Sequence, residues 1–197
     1  TTTDLNGNVY VVGTVTDDLG SGIVQGDQDV YLRKYDGAGQ LVWSRLLGSS
    51  ERASGFALAT DANGNVAIAG KVTDRLTTIA IGGGDDSFVT KYDSEGREVF
   101  TRQVAPVTDD QANALAFGAD GSLYVAGQTK SAVATGVTHG GGVDAYVMKL
   151  TSTGSYVYAR QFGGADDDRA TSIAVDGNGD VILGTVEGGD AKVRKLL

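Results

Sequence analysis

Short segments in which hydrophobic and polar residues alternate recur along the chain, and clusters of Gly, Asp, Asn and Ser separate them. Four of these segments end in a glycine, and the glycines stand 57 residues apart, at Gly13, Gly70, Gly127 and Gly184. Alternation with a period of two predicts β-strands, and no segment has the 3.6-residue period of a helix. A fixed period of this length is typical of repeat proteins. The chain is therefore predicted to be an all-β repeat protein.

Three further strands recur in step with the glycine-terminated one. One begins with aspartate and carries a lysine five residues later, one carries an aromatic residue and an arginine two residues apart, and one is rich in small residues. The aspartate-initiated strands read DVYLRKY, DSFVTKY, DAYVMKL and DAKVRKL. Four short strands joined in sequence form an antiparallel meander, which is how one β-propeller blade is built.

The residue sizes predict how each blade is oriented. The small-residue strand, here called A, fits the crowded axis of a propeller, and the aromatic strand, D, fits the wide outer part. Turns such as Asn6-Gly7 and Asn63-Gly64 favour tight hairpins between A and the glycine-terminated strand B. The longer B-to-C and D-to-A loops then share one rim, which is the predicted working face.

The strand count predicts about 3.5 blades of four-stranded antiparallel sheet in a single domain, residues 1–197. The units span approximately 1–52, 53–109, 110–168 and an incomplete 169–197. The first opens in the last residues of a strand A, and the fourth stops after strand C. Three arrangements fit: a four-bladed ring, a homodimer that completes one larger ring, or a segment completed by further blades. We favour the second or third, because four-bladed rings are the rarer closure.

The repeat resembles a known family once its motifs are set in order. The pattern D-x-N-G-N-V-Y-V-x-G, then G-G-x-D-A-Y-V-x-K, then L-V-W-S-R-x-x-G, is similar to the bacterial β-propeller repeat called SBBP, from Asp4 through Leu196. The resemblance implies a propeller that serves as a scaffold in bacterial secreted or cell-surface proteins. It implies an extracellular or cell-surface location and names no ligand.

The composition narrows the classes of partner that the chain is expected to bind. The net charge is −9, from 16 basic and 25 acidic residues, which argues against binding nucleic acid or an anionic membrane. Cysteine is absent, so disulfides and thiolate metal sites are excluded. No apolar run approaches the roughly 20 residues of a membrane-spanning helix, so no membrane insertion is expected.

The repeated aspartate before strand C invites a structural explanation. If Tyr31 lies opposite Arg45 in the C–D hairpin, Asp29 is diagonal to that arginine and within reach of it. The same geometry predicts structural pairs in three units: Asp29 with Arg45, Asp86 with Arg102, and Asp144 with Arg160. Asp190, the fourth member, would need a partner from elsewhere.

Two acidic groups are candidates for calcium. Asp176, Asn178 and Asp180 have the alternate spacing of oxygen ligands in a calcium loop, although Val181 stands where an EF-hand needs glycine. An Asx-type hairpin turn is the favoured interpretation of this segment. The second group, Asp166, Asp167 and Asp168, lies on a D-to-A loop and has no constant equivalent in the other units.

Catalytic motifs are sparse. His139 is the only histidine, and an exposed loop residue is the simplest interpretation of it. Paired carboxylates of the glycosidase kind are available among Asp17, Asp18, Asp85 and Asp86. Two functions therefore remain. The first is a non-catalytic scaffold or interaction module that presents loops to a protein or glycan partner. The alternative is a carbohydrate-active or metal-dependent hydrolase or lyase that uses the acidic loop residues.

Overall fold

The computed structural model describes residues 1–17, 25–76, 84–104 and 109–196. This part of the chain forms fifteen strands in four antiparallel sheets and no helix, which confirms the all-β prediction. Sheet 1 contains β1 (Thr2–Thr3), β2 (Val9–Val15), β3 (Asp29–Tyr35) and β4 (Leu41–Leu47). Sheet 2 contains β5 (Ala53–Thr60), β6 (Val66–Val72), β7 (Asp86–Tyr92) and β8 (Glu98–Val104). Sheet 3 contains β9 (Asp110–Phe117), β10 (Leu123–Thr129), β11 (Asp144–Leu150) and β12 (Tyr156–Phe162). Sheet 4 contains β13 (Arg169–Val175), β14 (Val181–Glu187) and β15 (Asp190–Leu196).

Within each sheet the strands are hydrogen-bonded in chain order, so every sheet is a simple meander. The predicted A–B hairpins form as expected. In sheet 2, Asp61 Oδ1 accepts the backbone N–H groups of Asn63 and Asn65, both at 2.9 Å, and Gly64 takes a positive φ of 77°. A carboxylate that binds the turn backbone in this way fixes the chain reversal, and glycine adopts the positive φ without strain.

The first strand of each sheet packs against the first strand of the next. β5 lies against β1 and β2 of sheet 1 and against β9 of sheet 3, and β9 lies in turn against β13. Small side chains make this close approach feasible: Ala57 and Ala69 share a buried cluster with Ala112 and Leu115 of sheet 3. The largest described core therefore lies between sheets 2 and 3, where alanines of the inner strands meet larger side chains such as Tyr146.

Three of the four repeated glycines have a common structural reason. Gly13, Gly70 and Gly127 each lie opposite an aromatic residue of the neighbouring strand, which is Tyr31, Phe88 and Tyr146 respectively. A Cβ on Gly70 would stand 1.8 Å from the carbonyl oxygen of Ser54, and on Gly127 it would stand 1.9 Å from that of Gln111. Backbone therefore passes too close to Gly70 and Gly127 for any side chain, whereas at Gly13 a Cβ would stand 2.7 Å from the side chain of Tyr31.

Gly184 does not share that environment, although the sequence places it at the same interval. It lies opposite Val193, and the place equivalent to Gly127 belongs to Thr185, opposite Lys192. The cause is one extra residue in the third unit, where Asp86 and the next repeated aspartate are 58 rather than 57 positions apart. Gly184 is therefore not equivalent to the other three glycines, and this corrects the alignment drawn from the 57-residue interval.

Candidate functional site: the loop rim

The B-to-C and D-to-A loops meet at one end of the sheets, here called the loop rim. It includes the residues that open strands β3, β5, β7, β9, β11 and β13. Backbone hydrogen bonds tie neighbouring sheets together there. Gln28 O accepts the N–H of Ala53 at 2.7 Å, and Asp85 O accepts the N–H of Asp110 at 2.6 Å. The end of each such loop thus holds the start of the next sheet.

Two of the aspartates that open strand C, Asp29 and Asp144, are buried and bind the loop backbone. Asp29 and Asp144 are at most 1% exposed. Asp29 Oδ2 accepts the N–H of Gln25 at 2.8 Å, and Asp144 Oδ2 accepts that of Gly140 at 2.7 Å. Both donors stand four residues before the aspartate. A carboxylate that closes its own loop in this way stabilises the loop conformation.

The aspartate–arginine pairs predicted from the sequence do not form. Arg45 lies opposite Leu32 rather than Tyr31, and Arg102 and Arg160 lie opposite Val89 and Val147. The reason is a register shift in each C–D hairpin, such as the one between Lys34 and Tyr35. An offset of one residue turns a side chain to the other face of the sheet. The correction covers all three pairs: Asp29 with Arg45, Asp86 with Arg102, and Asp144 with Arg160.

The arginines of strand D instead connect neighbouring sheets. Arg45 Nε donates to Gly96 O at 2.5 Å, and Arg102 Nε donates to Gly154 O at 3.1 Å. Each acceptor is the glycine of the C–D turn in the next sheet. Trp43 Nε1 also donates to that turn, to Ser94 O at 3.2 Å. The aromatic–arginine motif therefore locks one sheet onto the following turn.

A cleft of about 220 Å³ opens on the loop rim between sheets 2 and 3. Two ion pairs line it. Lys71 Nζ lies 2.5 Å from Asp85 Oδ2, and Lys130 Nζ lies 2.7 Å from Asp109 Oδ2. Asp110, which is 2% exposed, lines the same cleft. The cleft thus combines charged groups that neutralise one another with one buried carboxyl.

Two carboxyls on this rim have raised pKa values. Burial raises the pKa of Asp86 to about 6, and the charges of Asp85 and Asp109 add to the shift. Burial also raises the pKa of Asp110 to about 7, against the smaller opposing effect of Thr129 and the backbone of Lys130. Removal from water penalises the ionised form of a carboxyl, so both groups bind protons more tightly than a solvated aspartate.

The neighbouring aspartates remain ionised. The pKa of Asp85 is lowered because hydrogen bonds from Lys71 and Thr73, with the charge of Lys71, outweigh burial, its largest single influence. The pKa of Asp109 is lowered by its hydrogen bond from Lys130. Two protonatable carboxyls therefore stand beside two carboxylates that are paired with lysines.

The side chains predicted as calcium ligands bind backbone N–H groups and a lysine. Asp168 accepts the N–H of Gly164 through Oδ2 and that of Gly188 through Oδ1, both at 2.8 Å. Asp167 Oδ1 accepts the N–H of Val143 at 3.1 Å. Asp166 lines a different cleft, together with Asp168. In the described ranges no group of three or more acidic, histidine or cysteine side chains has the geometry of a metal site.

The segment from Asp176 to Asp180 forms the Asx turn that the sequence favours. Asp176 Oδ1 accepts the N–H of Asn178 at 2.9 Å and that of Asp180 at 3.0 Å. Lys195 Nζ lies 2.7 Å from Asp180 Oδ2 and 3.7 Å from Asp176 Oδ2. A lysine ammonium thus occupies the position between the carboxylates that a cation would need.

His139 is not the exposed loop residue that the sequence suggests. Its side chain is 26% exposed, and Nδ1 lies 3.0 Å from Asp144 Oδ2. Gln161 Nε2 lies 3.1 Å from the same histidine nitrogen and donates to Asp144 Oδ2 at 2.8 Å. His139 belongs to the hydrogen-bond network that holds its loop.

Of the paired carboxylates considered for glycoside hydrolysis, Asp18 lies outside the described residues. Asp17 is exposed, Asp85 is half-buried and paired with Lys71, and Asp86 is fully buried. Sequence reasoning missed the burial of Asp110 and the two lysines of the cleft. The sequence did contain one signal: Asp110 is the first residue of a strand A, and the equivalent residue in sheet 2 is Ala53.

Comparison with curated proteins gives an extended sequence match. No family model matches the chain. The chain is 37% identical over 220 residues to the "Regulatory protein FlaEY" of Caulobacter vibrioides. The alignment covers 98% of this chain and 22% of that protein, so the chain spans less than a quarter of its relative's length.

A crystal structure of a protein of unknown function from Bacteroides caccae is also similar, with a TM-score of 0.43 and 9% identity. The match covers 85% of this chain and 56% of the Bacteroides caccae chain. The described part of this chain has no helix that is long and apolar enough to cross a membrane.

Proposed function

We propose that the four sheets are blades of a β-propeller of the SBBP repeat kind, and that the chain is a non-catalytic interaction module. The meander order of every sheet supports the blade assignment. The contacts of β5 with β2 and β9, and of β9 with β13, support inner strands that follow one another around an axis. The proposed setting is the bacterial cell surface or exterior, which rests on the repeat resemblance alone.

The binding role is supported by the partners of the carboxylates on the loop rim. Carboxylates there are engaged by loop backbone, as at Asp29 and Asp144, or by lysines, as at Asp85 and Asp109. Carboxylates held in this way are used to fix the backbone and neighbouring charges rather than to act on a substrate. Loops of differing sequence on a repeated scaffold are typical of binding surfaces. The relative FlaEY is named a regulatory protein, and regulation through protein contact fits this chain too.

Site-specific photocrosslinking in the bacterial host tests the proposal. Thr135, exposed in the loop before β11, is replaced by a photoreactive amino acid, and Thr153, exposed in a C–D turn of the same sheet, is the matched control. We expect a discrete protein adduct from position 135 and none from position 153. Adducts of equal yield at both positions, or none at either, would contradict an interaction surface on the loop rim.

A second candidate, acid–base hydrolysis in the cleft, is favoured by one observation. Burial raises the pKa of Asp110 to about 7, and strongly perturbed carboxyls are frequent in active sites. Turnover of a panel of oligosaccharides by the intact chain, lost in Asp110→Asn and retained in Asp17→Asn, would establish this function. Absence of turnover at pH 5 to 8 would remove it.

A further inference from the structure

Two buried carboxyls begin neighbouring strands on the loop rim, at the junction of sheets 2 and 3. Asp86 opens β7 and is 0% exposed, and Asp110 opens β9 and is 2% exposed. Two hydrogen bonds fix their relative position: Asp85 O accepts the N–H of Asp110 at 2.6 Å, and Asp109 Oδ1 accepts the N–H of Asp85 at 3.3 Å. Burial is the main cause of the raised pKa of Asp110, and the charge of Asp86 adds to it, so the two carboxyls are close enough to interact.

Neither carboxyl has a hydrogen-bond partner. In the part of the chain that the structure describes, all four oxygens of Asp86 and Asp110 are buried and accept no hydrogen bond. Thr129 and the backbone of Lys130 lie near enough to Asp110 to oppose the rise in its pKa that burial causes. The Thr129 hydroxyl, however, donates to Ser131 O at 3.0 Å. Buried polar groups are almost always hydrogen-bonded, so two unpartnered carboxyls in one place point to a ligand.

The equivalent carboxyl beside sheet 4 shows what Asp110 lacks. Asp110 and Asp168 both stand eight residues after the arginine of a strand D. Asp168 accepts the N–H of Gly164, four residues earlier, at 2.8 Å. The residue four before Asp110 is Pro106, the only proline of the chain, and proline has no N–H to donate. The loop that leads to Asp110 therefore cannot satisfy its carboxyl as the loop before Asp168 does.

Asp86 departs from its equivalents in the same way. Asp29 accepts the N–H of Gln25 at 2.8 Å, and Asp144 accepts that of Gly140 at 2.7 Å. No described donor bonds to Asp86. The junction of sheets 2 and 3 thus brings together the two members of these series that lack a donor among the described residues.

The lysines of the cleft do not compensate these two carboxyls. Lys71 pairs with Asp85, and Lys130 pairs with Asp109. No ion pair within the described ranges reaches the other two aspartates of the group. Four carboxylates and two ammonium groups leave two negative charges when all are ionised, and one divalent cation would neutralise them.

We propose that Asp86 and Asp110 bind a calcium ion at the cleft between sheets 2 and 3, where Asp110 lines the wall. Both carboxyls are too deeply buried for one lysine or arginine side chain to reach, whereas a small ion fits between them. The site has two carboxylates rather than three or more, and backbone carbonyls and water complete the ligand shell of many calcium sites. Magnesium keeps several of its own waters, for which an enclosed site has little room. The inference goes beyond the proposed interaction role and does not depend on it.

Calcium titration of the full 197-residue chain at pH 8 tests the site, because both carboxyls, with pKa values of about 6 and 7, are then ionised. We expect calorimetry to give a dissociation constant of about 10⁻⁴ M. Calcium at about a hundred times that constant should raise the melting temperature by about 5 °C. Asp86→Asn and Asp110→Asn should each weaken binding by about tenfold or more. The matched control is Asp168→Asn, which should lower the melting temperature and keep the calcium-dependent rise.

The chelated protein separates ligand binding from packing. In EDTA at pH 8, Asp110→Asn should melt above the parent, because its buried charge is gone, and calcium should narrow that gap by stabilising the parent alone. Binding that Asp86→Asn and Asp110→Asn both retain, or no binding by the parent, would overturn the proposal. Equal stabilisation by methylammonium would assign the two carboxyls to a basic side chain of a partner and would also overturn it.

Discussion

Sheets 2 and 4 are built from the same repeat, yet their third strands have opposite environments. All seven residues of β7 are buried, whereas five of the seven in β15 are exposed and none is buried. β7 lies between β6 and β8, while β15 pairs with β14 alone in the part of the chain that the structure describes. Burial in this fold therefore depends on neighbouring strands and sheets at least as much as on a strand's own sequence.

The side chains of β15 match its exposed position. Lys192 and Arg194 stand where β7 has Phe88 and Thr90, and both bind Glu187 at the end of β14. The Arg194 hydrogen bond, helped by Thr185 and Lys192, lowers the pKa of Glu187 to about 2 in spite of burial. An ion-pair network thus replaces the apolar contacts of the inner sheets.

The largest expected effect is on stability. It distinguishes two carboxyls at equivalent repeat positions, Asp110 of sheet 3 and Asp168 beside sheet 4. The pKa of Asp110 is about 7 in the folded chain and near 3.8 when unfolded. The folded state therefore binds the proton more tightly, and this stabilisation is complete below about pH 4 and lost as pH rises through 7. Asp110→Asn should be more stable than the parent at pH 8, by at most about 4 kcal/mol, and similar to it at pH 4.

The matched variant Asp168→Asn should change stability in the opposite direction. Asp168 accepts two backbone N–H groups, and an amide nitrogen cannot replace one of those acceptors. Urea unfolding of both variants from pH 4 to pH 8 measures the comparison. Curves for Asp110→Asn that run parallel to those of the parent would contradict the buried-carboxyl interpretation.

The second comparison uses two glycines that the sequence treats as equivalent. Gly70→Ala should destabilise the chain by about 3 kcal/mol, because the new Cβ would collide with the carbonyl oxygen of Ser54. At Gly184 the nearest atom is the hydroxyl of Ser172, which can rotate away. Gly184→Ala should therefore cost under about 1 kcal/mol. Similar denaturation midpoints for the two variants would restore the equivalence suggested by the 57-residue interval.

The third comparison places the same residue type in both environments. Val89 is 0% exposed and Val193 is 79% exposed, at one repeat position. Val89→Ala removes two buried methyl groups and should lower the free energy of unfolding by about 2 kcal/mol. Val193→Ala should change it by less than about 0.5 kcal/mol. Thermal or denaturant unfolding decides, and a loss above about 1 kcal/mol for Val193→Ala would mean that β15 is covered in solution.

The sequence was sufficient for the strands and their order because both depend on local signals. Alternation marks each strand, and turns such as Asp61 to Asn65 fix each reversal through contacts within five residues. The same locality explains why the turn at Asp176 was predicted correctly.

The candidate site was less predictable because it depends on register and on neighbouring sheets. A one-residue shift in the C–D hairpins placed Arg45 opposite Leu32 and removed the expected pair with Asp29. The burial of Asp110 arises from the packing of sheets 2 and 3, which no single unit encodes. Long-range packing of this kind leaves only a weak trace in the sequence, such as aspartate at a place where sheet 2 has alanine.

The smallest expected effect concerns the arginines that link the sheets. Arg102 donates to Gly154 O and to Thr101 O, so Arg102→Leu should lower the free energy of unfolding by about 1 kcal/mol. Arg160 has no such acceptor within the described residues, and Arg160→Leu should be nearly neutral in the free chain. Calorimetric melting of the two variants measures the difference, and an unchanged melting temperature for Arg102→Leu would mean that the arginine–turn bond does not hold neighbouring sheets together.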